Sequence, residues 1–151
     1  MKDWLQHLAT LLVTAWAGSL WAVGFLAVPV LFYAQPDRQL AGMLAGHMFS
    51  LVGYVGTASG ILLLIHRISV SGRQAFRHGL FWTVAAMLLL TLVIQCGFQP
   101  VMTSLKQQAL PLDIMHSAFA DRFSMLHHLS STTYTIESLL GIYLVIRSRR
   151  D

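Results

Sequence analysis

Between Asp3 and Asp37 the chain carries 33 consecutive residues without Asp, Glu, Lys or Arg. A bilayer core about 30 Å thick needs roughly 20 apolar residues per helix, so this run is long enough to cross one. Two further charge-free runs follow, 39–66 and 78–105, each of 28 residues. The segment 123–146 is 24 residues long and holds one charge, Glu137. Four such runs in 151 residues predict one transmembrane domain over 1–151, an all-α integral membrane four-helix up-down bundle.

Composition excludes the soluble alternatives. Charged residues make up 11% of the chain, less than half of the roughly 25% usual in a soluble domain. A soluble enzyme is ruled out. So is a nucleic-acid module, because the pI near 9.7 comes from scattered basic residues beside apolar runs, not from a basic face. The single cysteine, Cys96, has no internal disulfide partner, and no Cys-x-x-Cys pair offers zinc or redox chemistry. Ala15-Trp16-Ala17 has the small-residue pattern of a signal-peptide cleavage site. The apolar run nevertheless continues to Tyr33, and Lys2 is cancelled by Asp3, so a retained helix is expected.

The spans are placed at about 5–33, 39–66, 76–101 and 123–147, with 102–122 as a periplasmic helical hairpin. Gln35-Pro36-Asp37 is a turn signal, and Pro29 should kink the first helix mildly. Leu110-Pro111-Leu112 should break the third helix, and Asp113 should cap the fourth. Basic residues divide unevenly between the two ends. Lys2, Arg67, Arg73, Arg77, Arg147, Arg149 and Arg150 fall on one side, and Arg38, Lys106 and Arg122 on the other. By the positive-inside rule both termini are cytoplasmic.

Small residues indicate how the helices meet. On the second helix Gly42, Gly46, Gly53, Gly56 and Gly60 fall on one stripe, joined by Phe49, which would let a neighbouring backbone approach closely. On the first, His7, Thr14, Gly18, Trp21 and Phe25 share a face by 100° steps. Trp4, Tyr33 and Trp82 lie near span ends, as an interfacial aromatic belt requires.

Few polar residues inside the spans need a reason. Glu137 is the only formal charge within any of them. An ionised carboxylate at the middle of a span costs about 2.5–3.5 kcal/mol on insertion scales, so it should face the bundle interior. There it serves as a proton or cation site, or as a neutral acid bonded to a Thr or Tyr. His127, Ser130, Ser131, Tyr134, Glu137, Ser138 and Gly141 share its face, whereas His128 points away. His47, on a face with Met43, Ser50 and Tyr54, matches His127 in depth. Imidazole and thioether are ligands for soft copper, and paired imidazoles hold haem iron. His47, His127 and Met43 are therefore candidate metal or haem ligands. The bland alternative is histidines satisfied by hydroxyls or water.

The run Trp16-Ala17-Gly18, Gly24-Phe25, Pro29-Val30-Leu31-Phe32, Ala41-Gly42, Gly46 and Phe49 resembles a bacterial uncharacterised four-helix membrane family. That family is related to the eukaryotic cisplatin-resistance-associated transmembrane proteins. Phe123-x-x-x-His127-x-Leu129-Ser130-Ser131 is similar to the same family's signature. More loosely, His7 with Trp16-Ala17-Gly18 resembles the opening helix of copper-resistance D-like membrane proteins and of four-helix haem-linked protoporphyrinogen oxidases. The resemblance implies a small bacterial inner-membrane protein without an established reaction, and transfers only His127 and the serines after it.

Three functions follow as expectations. One is a multi-pass inner-membrane protein that handles a small ligand, a soft metal or haem included, at an outward-facing polar pocket. Another is a haem-dependent membrane redox enzyme. The last is a structural or assembly partner of other membrane proteins, or a homo-oligomer, built on the glycine stripe. The bilayer is the expected partner in all three, and nucleic acid in none.

Overall fold

In the computed structural model, residues 2–110 and 112–148 are described. Pro111, Arg149 and Arg150, used above for the helix break and the charge asymmetry, lie outside them, as does the side chain of Lys2. Four long helical rods account for nearly all of the chain. The first, α1, joins α-helix Lys2–Trp21, a π turn Ala22–Ala27 and α-helix Val28–Ala34. The second, α2, is Arg38–Ser71, followed by a 3-10 turn Gly72–Arg77. The third, α3, joins Gly79–Leu92, a π turn Val93–Phe98 and Gln99–Ala109. The fourth, α4, is Ala120–Ser148. Each rod is long and apolar enough to cross a membrane, and the protein is a multi-pass membrane protein.

Local chemistry explains the ends. Asp37 Oδ1 accepts from the backbone N–H of Gln39 at 2.9 Å and of Leu40 at 3.1 Å, satisfying two amides that the start of α2 leaves open. Gly72 follows the end of α2 at φ +54°, a conformation that residues with a Cβ rarely adopt. Asp113 does cap, but only the short 3-10 turn Ile114–His116, through a 2.8 Å bond from Met115 N–H. A second start signal intervenes. Ser117 Oγ accepts from Phe119 N–H at 3.2 Å, and α4 begins at Ala120 rather than directly after Asp113.

Both π turns end just before a proline. Val28 N–H donates to Val23 O, five residues back, and Pro29 follows. Gln99 N–H donates to Ile94 O in the same way, and Pro100 follows. A proline ring collides with the carbonyl four residues before it and has no N–H to donate. The widened turn takes up that misfit, so Pro29 is accommodated by a π turn.

The rods pack in a ring, each against its chain neighbour, with α4 closing back on α1. The core runs from Val13, Trp16 and Leu20 on α1 through Val52 and Leu63 on α2. It continues with Leu80, Val84 and Met87 on α3 and ends at Leu144 on α4. On α1 the buried face is therefore Val13, Trp16, Ala17 and Leu20. His7, Thr14 and Phe25 from the expected face lie at the surface. The glycine stripe also works differently from the expectation. A methyl on Gly56 would meet Trp16 Nε1 at 2.6 Å, and nothing lies within 4 Å of where one would sit on Gly46. The stripe makes room for particular side chains, the Trp16 indole above all.

Candidate functional site

Glu137 sits in the middle of α4 and is 1% exposed. Two donors from different helices converge on one of its oxygens. Trp16 Nε1–H from α1 donates to Oε1 at 3.2 Å, and Thr91 Oγ1 from α3 lies 2.6 Å from the same atom. Thr91 Oγ1 is also 3.0 Å from the carbonyl of Met87 on its own helix. The other carboxyl oxygen, Oε2, has no hydrogen-bond partner among the described residues.

A threonine hydroxyl has one proton, so the two Thr91 contacts cannot both be donated at full strength. When Glu137 is ionised, Thr91 donates to Oε1 and is charge-assisted. With a proton on Oε1, Glu137 donates to Thr91, and Thr91 donates to Met87 O. Turning one hydroxyl converts either arrangement into the other with no heavy atom displaced. The group is thus held by partners that suit both of its protonation states.

Beside the carboxyl lies a partly open cleft of about 20 Å³, walled by Glu137, Thr91, Gln95 and Tyr134 together with apolar residues of α1, α2 and α3. The π turn of α3 carries Gln95, whose Nε2–H donates to Ser50 O on α2 at 3.3 Å. Its amide lies directly over Gly53, where a methyl would collide with it. The start of the α1 π turn receives Tyr134, whose hydroxyl donates to Leu20 O at 2.7 Å. Gly24 leaves the space for that ring, since a methyl there would come within 2.5 Å of Tyr134 Cε1. Phe49 meets Tyr134 edge-on at 5.2 Å. The α3 π turn thus supplies Ile94 and Gln95 to the cleft, and the α1 π turn meets it only through Gly24 against Tyr134, π turns being frequent at functional sites.

The other sequence-chosen residues lie elsewhere. His47 is at the surface, with Nδ1 3.0 Å from Met43 O on its own helix. Met43 is 49% exposed. His127 is also at the surface, stacked on Phe123 at 6.0 Å and edge-on to His128 at 6.5 Å. His47 and His127 make no hydrogen bond or ring contact with each other. Among the described residues no group of three or more His, Cys, Asp or Glu is placed to hold a metal ion. Ser130 is half-buried and Ser131 exposed. Lys106 Nζ donates to Gly42 O at 3.1 Å and sits 5.4 Å over the Phe123 ring, pinning three helices at that end of the bundle.

Of the predicted set, Glu137 and Tyr134 reach the chamber. Trp16, Thr91 and Gln95 complete it and were not anticipated as site residues. Gln95 had a legible signal, being the one amide side chain between Gly79 and Phe98 in an otherwise apolar run. A model of the family described as a domain of unknown function (DUF4149) matches residues 11–111. No curated protein and no solved structure matches the chain.

Proposed function

The chain belongs to the DUF4149 family, and we propose that it is a bacterial inner-membrane protein acting through a proton-exchanging carboxyl at Glu137. One observation carries the reading. A single carboxyl oxygen is held by Trp16 and Thr91 while its twin stands unpartnered beside a small chamber. A residue kept only for packing has no need of an acid there, because an apolar side chain of similar volume avoids the cost of burying a carboxyl. Intramembrane carboxyls with hydroxyl partners are the usual elements of proton-linked handling of small ligands.

The seven-to-three division of basic residues supports placing both termini in the cytoplasm. The connections at 34–38 and 103–122 are then periplasmic. The likeness to cisplatin-resistance-associated proteins rests on the apolar run 16–49 and on Phe123 to Ser131, and adds no reaction to the reading.

Infrared spectra of the protein in lipid vesicles, recorded from acid to alkaline pH, test it. Wild type should show a protonated-carboxyl C=O band that disappears reversibly with rising pH and is missing in Glu137→Gln. A wild-type spectrum lacking any pH-dependent band assignable to Glu137 would end the proposal and leave that residue as a fixed structural acceptor.

A further inference from the structure

We infer that the chamber beside Glu137 is a binding site for one water molecule, held between Glu137 Oε2 and the Gln95 side-chain carbonyl. The inference deepens the reading of Glu137 given above and rests on it. Space sets the first limit. The partly open cleft offers about 20 Å³, more than the roughly 10–15 Å³ that one water requires.

The unfilled hydrogen-bonding capacity sets the second. Among the described residues Glu137 Oε2 has no hydrogen-bond partner, and Gln95 commits its Nε2–H to Ser50 O, which leaves Gln95 Oε1 without a donor there. Both residues line the chamber, and much of the remaining wall is Leu20, Val52 and Ile94. Two acceptors without a donor among the described residues border the same cleft, and a water can offer an O–H to each. Water has two O–H groups and two lone pairs, so it donates to both acceptors when Glu137 is ionised. With a proton on Oε2, the same water accepts from the acid and still donates to Gln95. A bare monovalent cation would suit only the ionised state.

Gly53 becomes part of the site on this view. It allows the Gln95 amide to lie against α2 at the edge of the cleft. A methyl at Gly53 collides with that amide and would push it into the space the water occupies.

Infrared spectra in H₂¹⁶O and H₂¹⁸O test the inference on vesicle-embedded protein. Wild type should show an isotope-sensitive water O–H band outside the bulk envelope. Gly53→Ala and Gln95→Leu should each lose it while keeping their helical circular dichroism, and Gly46→Ala should retain it. No such band in wild type, or its survival in both variants, would overturn the assignment. Stabilisation by sodium that Gln95→Leu removes would also overturn it, in favour of a cation. The carboxyl titration is read from the C=O band of the same samples. A titrating carboxyl without the water band sinks only the water site, and the reverse sinks only the functional reading.

Discussion

Trp16 Nε1–H donates to Glu137 Oε1 across 3.2 Å, joining α1 to α4 over 121 positions of sequence. Trp16 is 0% exposed, and its ring lies against Gly56 and Gly60 of α2. This α1 side chain therefore meets α2 and α4 and anchors the only acid buried among the described residues.

Replacing Trp16 by Phe keeps most of the apolar volume and removes the indole donor. Glu137 is then left with Thr91 alone. A loss of about 1–3 kcal/mol is expected, the range for a hydrogen bond to a buried group that becomes under-satisfied. Glu137→Gln retains an acceptor oxygen and should cost less than Trp16→Phe. Reversible unfolding in mixed micelles gives both values, and the opposite order would show that the Trp16–Glu137 bond contributes little.

Two glycines of the same stripe should respond in opposite ways. Gly56→Ala puts a methyl 2.6 Å from Trp16 Nε1, and overpacking of this kind typically costs about 1–3 kcal/mol. Gly46→Ala meets nothing within 4 Å and should be neutral, or gain up to about 1 kcal/mol from helix propensity. Melting temperatures of the two purified variants decide it. Equal losses would mean that the stripe serves backbone approach and not the Trp16 ring.

Tyr134→Phe deletes the hydroxyl that donates to Leu20 O at 2.7 Å and leaves the ring against Phe49. A cost near 1 kcal/mol is expected. Faster amide exchange should appear in 22–27, the π turn that this bond abuts. Unchanged exchange there would show that the π turn is held by Pro29 alone.

Topology follows from the charge asymmetry. Periplasm-active reporters fused near Asp37 should be active, and those near Arg73 inactive. The reverse result would invert the bundle in the membrane.

The number of helices and their approximate positions were legible because a bilayer imposes a length and an absence of charge, and both are visible in one dimension. The burial of Glu137 was legible for the same reason, as a lone acid in lipid has one sensible direction to face. Its partners were not. A Thr or Tyr was expected; Thr91 is one of them, whereas Tyr134 spends its hydroxyl on Leu20 O. His47 and His127 agreed in depth along the helix axes, but depth says nothing about rotation, and the structure leaves both at the surface with no hydrogen bond or ring contact between them.

What the sequence determined by itself is the set of long apolar segments, the turn at Gln35-Pro36-Asp37 and the end of the third rod before Leu110. Each follows from solvent or backbone chemistry acting locally. Only the tertiary structure decided which face of each helix turns inward. In a soluble helix the polar face marks the outside, but in lipid both faces are apolar and that guide is lost. Trp16 was therefore not separable from Trp21 by pattern. The π turns add a second reason. Each inserts a residue and rotates everything beyond it by about 100° relative to ideal α-helical phase, so faces counted along α1 and α3 drift out of register at the level of the chamber.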